Sequence, residues 1–213
     1  AIDRVLPRHS PVLLCGHSYG AIVALEVAHR LAQGGRRIGF LGVIDTPLRA
    51  ETRTWMARLQ DICRNLPGWL RYDALESDWS SLAARARGKS RDWWRDGLAA
   101  LGYGSPSAHP DLRAYYGKST LPPEVVAHTY ARLDALRQHV CRPFDGTVVL
   151  FRARAQALAG RSDRALGWAG LARHVEVYDI PGHHDSCARP PHVAHLANAL
   201  SRTLVAHGAD QPQ

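Results

Sequence analysis

Val12-Leu13-Leu14-Cys15-Gly16-His17-Ser18-Tyr19-Gly20 leads out of an apolar, strand-like stretch, through two glycines, into a helix-like stretch from Ala21 to Leu31. This is G-x-S-x-G in strand–turn–helix context, where the serine rides a tight, strained turn that pushes its hydroxyl out of the sheet. Glycine is expected at both ends of the pattern because a side chain there would collide with the neighbouring strand or helix. The helix N-terminus behind Ser18 offers amides that favour developing negative charge. Ser18 is therefore the candidate nucleophile.

The elbow lies inside a larger unit. After the helix, Gly34-Gly35 supplies a stop, and Ile38 to Ile44 is a second apolar run, so residues 11–45 read as βαβ. Both strands, Val12 to Cys15 and Ile38 to Ile44, are continuous apolar runs rather than alternating ones, the pattern of a parallel sheet covered on both faces. Cys15 is expected in its core. The helix is apolar nearly all round, interrupted mainly by Glu26, His29 and Arg30, and is expected to be largely buried.

From Thr46 to about Pro143 the strand pattern disappears. Glu51 to Cys63, Glu76 to Arg87, Arg91 to Leu101 and Pro123 to Val140 carry helical spacing, with Trp55, Leu59 and Ile62 in one stripe. Five of the six tryptophans (Trp55, Trp69, Trp79, Trp93 and Trp94) fall here, so the segment reads as a helical lid carrying most of the large aromatic surface. Strands return at Thr147 to Phe151 and Val175 to Ile180. A last helix follows, with Pro190-Pro191 in its first turn and Val193, Leu196, Ala197, Leu200 and Leu204 at helical spacing. The division is one domain over 1–213, with a core of 1–45 and 144–207, a lid of about 46–143 and a tail of 208–213.

Composition excludes several classes. The formal charge of +8 rests on 25 arginines and only two lysines, scattered rather than clustered, which gives no stripe for nucleic acid. No apolar run approaches the roughly 18 residues of a membrane span, and a cytoplasmic location is expected. Four cysteines (Cys15, Cys63, Cys141 and Cys187) lie far apart with no C-x-x-C, so neither a disulfide scaffold nor a zinc knuckle is indicated. The cluster His183, His184, Asp185 and Cys187 lacks a matching second group of ligands, and no metal is expected.

An elbow serine needs a base and the base needs a carboxylate, in the chain order serine, acid, histidine. Asp45 follows the next parallel strand, and adjacent strands lie about 4.8 Å apart, so the carboxyl ends of the two strands bring Ser18 and Asp45 within reach of one imidazole. Its alternative role is to cap the turn into Thr46-Pro47. Asp163, beyond the strand ending at Phe151, is the rival acid. The base falls in the loop Ile180-Pro181-Gly182-His183-His184-Asp185-Ser186, with His183 and His184 both available.

Taken together these residues resemble the thioesterase domains of nonribosomal peptide synthetases and polyketide synthases, members of the α/β-hydrolase fold. Those domains show G-H-S-[FY]-G, an aspartate ending the following strand, a helical lid, then phrases like Leu150-Phe151-Arg152-Ala153 and Leu166-Gly167-Trp168. They close with a proline-glycine-x-histidine loop, here Pro181-Gly182-His183-His184, followed by Arg189-Pro190-Pro191-His192-Val193. The resemblance selects His184 as the base and Asp45 as the acid. Similar domains carry further strands before the elbow, including the loop that supplies a second oxyanion amide. The chain is accordingly expected to be N-terminally truncated, with a bare sheet edge and impaired activity.

What the resemblance implies is an α/β fold with a mostly parallel sheet flanked by helices. It also implies a serine hydrolase that releases an acyl, peptidyl or polyketide chain from a phosphopantetheinyl carrier domain, its partner within the same polypeptide, by hydrolysis or cyclisation. The catalytic residues are Ser18, Asp45 and His184, the Tyr19 amide binds the oxyanion, and Trp55, Trp69 and Trp93 shape the substrate pocket. No cofactor is bound; the 4'-phosphopantetheine arm belongs to the substrate. The competing readings are a stand-alone serine esterase or lipase and a catalytically silent docking module.

Overall fold

The computed structural model describes residues 2, 5–7, 10–48, 55–74, 122–157 and 160–208. Contacts divide the chain into two units, Ala1–Asp73 with Cys141–Gln213, and Ala74–Val140. The first holds a four-stranded sheet of β1 (Val12–His17), β2 (Ile38–Ile44), β3 (Phe144–Ala155) and β4 (Ala172–His183). The strands lie in the order β1-β2-β3-β4, and every neighbouring pair is parallel. Helices α1 (Tyr19–Gln33), α2 (Trp55–Gly68) and α4 (Val193–Gly208) belong to this unit. The described part of the second unit is essentially α3 (Pro123–Gln138). The helices expected at 76–87 and 91–101, and Trp79, Trp93 and Trp94, lie outside the described residues.

The core follows from strand alternation. Phe40, Val149, Phe151, Ala153 and Ile180 face one way and pack with Leu196, Ala199 and Cys187, joined by Ile44, Leu200 and Leu204. Their neighbours Leu41, Val43, Val148 and Leu150 point to the opposite face and are equally buried. Ala21, Ala24, Leu25 and Ala28 of α1, which packs on β1 and β2, are buried too. The small residues let helix and sheet approach closely.

Several expectations change. Cys15 is exposed rather than core, and Leu13 is 48% exposed. The cause is topological: among the described residues β1 is an edge strand paired only with β2, so one side of it lies bare. Strands β3 and β4 run well beyond the runs Thr147 to Phe151 and Val175 to Ile180, because polar residues such as Arg152, Arg154 and Arg173 extend the strands, as Asp179 sits inside its own run without breaking it. Two of these residues meet across the β3–β4 pairing, Arg152 to Asp179 at 3.6 Å. Pro190 and Pro191 precede α4 rather than occupying its first turn. Helix α2 continues through Pro67 to Gly68 and into a π-helical turn, Trp69–Ala74. Within the segment read as a lid, Asn65 of α2 donates to the carbonyls of Ala157 and Gly160, both at 3.0 Å, which ties α2 to the end of β3.

Candidate active site

His17 and Ile44 are register partners at the carboxyl ends of β1 and β2. Ser18 and Asp45 are the next residues on each strand, so the sheet itself sets them side by side. Ser18 has φ 55° and ψ −126°, a backbone state rare for a residue with a side chain. A serine preceding a helix ordinarily turns its oxygen back to cap the first amides; here no such side-chain bond forms. Gly16 is required, since a Cβ there would run into the Gly20 carbonyl, whereas Gly20 itself faces open space. The expectation that both glycines are sterically needed thus holds only for the first.

Tyr19 is the first residue of α1, and amides of a helix's first turn have no intrahelical acceptor. Its N–H is placed beside Ser18 by the chain itself.

Asp45 is 2% exposed and has φ 41°, a left-handed state that aspartate tolerates better than most residues. Its carboxylate is divided between two tasks. Oδ1 accepts from the Ala153 amide at 2.8 Å and from Gln156 Nε2 at 2.7 Å. Oδ2 faces His184 Nδ1 at 3.1 Å, and the Asp45 carbonyl lies 2.8 Å from the same nitrogen. Two oxygens, both acceptors, require the proton on Nδ1, which leaves the Nε2 lone pair of neutral His184 free to act as a base. Among the described residues no hydrogen bond joins His184 to the Ser18 hydroxyl.

The turn carrying Asp45 is braced from behind. Thr46 Oγ1 donates to Ile44 O at 2.9 Å and to Ser18 O at 3.3 Å, and the buried Trp168 indole donates to Thr46 O at 2.7 Å. Leu48 donates to Leu166 O at 2.9 Å. The Leu166-Gly167-Trp168 phrase therefore buttresses the turn that carries Asp45.

His184 lies in the loop after β4, turned there by Gly182 at φ 95°, where a Cβ would meet His192 and Ser186. Burial disfavours the His184 imidazolium, but the hydrogen bond and charge of Asp45, with the charge of Asp185, outweigh it and raise the pKa above 6.5. His183 turns elsewhere: its Nδ1 accepts from the Asp185 amide at 3.3 Å. Asp163 is engaged by Arg161 at 2.7 Å and by the Gly167 amide at 2.8 Å. Cys187 is buried, and burial, aided by Asp45 and Asp185, pushes its thiol up to about 12, so it offers no thiolate.

Of the residues expected to shape a pocket, Trp69 is half-buried in the π-helical turn, with no hydrogen bond or ring contact to Ser18, Asp45 or His184 among the described residues. The Trp55 side chain and Trp93 lie outside the described residues. Sequence reasoning missed Gln156 and gave His17, although it stands inside the G-H-S-[FY]-G pattern, no task; the contacts of both with Asp45 and His184 exist only in the folded chain. Among the described residues no group of three or more His, Cys, Asp or Glu is arranged to hold a metal, and no helix is long and apolar enough to cross a membrane.

Residues 1–63 match the family model described as "Thioesterase domain". Among curated proteins, N-(5-amino-5-carboxypentanoyl)-L-cysteinyl-D-valine synthase of Penicillium rubens is 43% identical over 53 residues, 24% of this chain and 1% of that protein. Nonribosomal peptide synthetase btyA of Aspergillus terreus is 50% identical over 48 residues, 22% of this chain and 5% of that protein. The chain resembles the thioesterase domains of nonribosomal peptide synthetases. In structure, this thioesterase-like chain is similar to the NocB thioesterase domain in covalent complex with a fluorophosphonate nocardicin G analog. The TM-score is 0.52, with 22% identity, over 95% of this chain and 70% of that one. At that identity the likeness speaks for the fold alone, a mostly parallel sheet with flanking helices, as in α/β-hydrolases. The aligned pieces of the curated synthetases are a very small part of their length.

Proposed function

We propose that this chain acts as a thioesterase domain, releasing an acyl, peptidyl or polyketide chain from the phosphopantetheine arm of a carrier domain in the same polypeptide. The observation that carries the reading is the buried Asp45 carboxylate facing His184 Nδ1 at 3.1 Å, on the strand next to an uncapped, strained Ser18. In this mechanism His184 Nε2 removes the hydroxyl proton as Ser18 Oγ attacks the thioester carbonyl. Asp45 holds the tautomer and balances the imidazolium, and the Tyr19 amide binds the oxyanion. The carbon–sulfur bond then breaks and the pantetheine sulfur leaves with the proton. Its pKa near 8.5 makes it a good leaving group with little acid assistance. Water, or an amine or hydroxyl of the chain, attacks the acyl-enzyme with His184 again as base, giving an acid or a ring.

The test is release from an acyl-loaded carrier domain compared with a short acyl ester of p-nitrophenol. Faster release from the carrier, lost in Ser18→Ala, is expected. Preference for the small ester would favour a stand-alone esterase. Carrier binding that persists in Ser18→Ala, with no release by the wild type, would favour a silent docking module.

A further inference from the structure

His17 is the last residue of β1 and the immediate neighbour of Ser18. Its ring stacks on that of His184, with centroids 4.7 Å apart and planes 30° apart. Its Nε2 lies 3.1 Å from the His184 carbonyl oxygen. A carbonyl only accepts, so His17 carries a proton on Nε2 whether neutral or charged, and it donates in both states. Cys187 Sγ approaches the same carbonyl at 3.5 Å. These contacts have no part in the mechanism above.

A base held only through Nδ1 can still swing about that one hydrogen bond, and small displacements of a reacting group cost large factors in rate. Asp45 restrains His184 at the edge of its ring, and His17 restrains it at the ring face and the main chain. We propose that His17 is a positioning residue for His184, fixing the imidazole between a stacked ring and a hydrogen bond to the His184 backbone. The proposal rests on His184 being the base.

The charges around the pair fit a division of labour. Asp45 from the turn after β2, Asp185 from the loop after β4, and the two rings face one another, with the buried Cys187 thiol nearby. Burial first, and then the charge of His184, lower the His17 pKa, while His184 is raised. The first proton therefore goes to His184. His17 remains a neutral support beside an imidazolium, which avoids two stacked cations during turnover.

The test compares His17→Phe, which keeps a flat ring without the donor, His17→Gln, which keeps a donor without the ring, and His184→Gln. Ser18 acylation by an acyl-pantetheine thioester, thermal unfolding, and the nitrogen-15 titration of the histidine rings are followed in each. Each His17 variant is expected to acylate about tenfold more slowly, the factor equivalent to roughly one hydrogen bond, with little change in unfolding temperature. His17→Phe should also lower the share of His184 in its Nδ1–H tautomer, and His184→Gln should bring the His17 titration up toward the ordinary value. Either wild-type acylation or an unchanged His184 tautomer in both His17 variants, beside an inactive His184→Gln, would overturn the proposal alone. Normal acylation by His184→Gln would overturn the base assignment and the proposal with it. The ring titrations read the pair without turnover: if His184 keeps its tautomer and pKa in both His17 variants, the positioning role is refuted.

Discussion

Gln156 Nε2 donates to Asp45 Oδ1 at 2.7 Å while His184 Nδ1 takes the other carboxylate oxygen at 3.1 Å. The Asp45 carboxylate is thus anchored through one oxygen by β3 and its following turn, and its second oxygen faces His184. Gln156 is buried and also donates to Ala153 O at 2.8 Å, so its amide is fixed at both ends. Gln156→Leu should lower the rate of Ser18 acylation about tenfold and cost about 1–3 kcal/mol, since a buried charged acceptor loses a donor. Gln156→Glu should be worse, because it sets a second carboxylate against the first. Acylation kinetics and urea unfolding of the two variants check this.

Asp45→Asn should reduce acylation by roughly 10⁴-fold, because an amide in place of the carboxylate no longer holds the required tautomer. Asp163→Asn should leave the rate nearly unchanged and affect only local stability, since its partners are Arg161 and the Gly167 amide. Equal losses in both would reopen the choice of acid.

The pH dependence follows from the sign of the His184 shift. The base must be neutral, and its folded pKa is raised above 6.5, so activity should fall as pH drops through a value above 6.5. Stability runs the other way. A histidine whose pKa is higher folded than unfolded contributes its full stabilisation below the unfolded value and loses it as pH rises through the folded one. The unfolding free energy of wild type minus that of His184→Ala should therefore shrink from mildly acidic to alkaline pH. A difference that grows instead would contradict the assigned shift.

Ser18 holds a positive φ that glycine adopts without strain, so Ser18→Gly should stabilise the chain by about 1–3 kcal/mol while abolishing acylation. At the glycines, Gly16→Ala should destabilise strongly, through its collision with the Gly20 carbonyl, whereas Gly20→Ala meets open space and should be tolerated. Thermal melts of the three variants give the order.

Much of this arrangement is legible in the chain. The βαβ unit shows because β1 and β2 are runs of apolar residues separated by one helix, and Ser18 and Asp45 then follow from position alone, each just past a strand end. The lengths of β3 and β4 are hidden because polar residues beyond the apolar runs, such as Arg152, Arg154 and Arg173, interrupt the apolar signal without ending the strands. Cys15 and Leu13 look like core residues in a parallel strand and are exposed because, among the described residues, β1 has a neighbour on one side only. Gln156 and the His17–His184 stack depend on pairing between distant segments, and no local periodicity encodes that.

The most direct test of the account is the intact mass of the chain after treatment with a fluorophosphonate, followed by peptide mapping. A single adduct on Ser18, absent in Ser18→Ala and strongly slowed in His184→Ala and Asp45→Asn, is the predicted result. An adduct on another residue, or one that persists in Ser18→Ala, would contradict it.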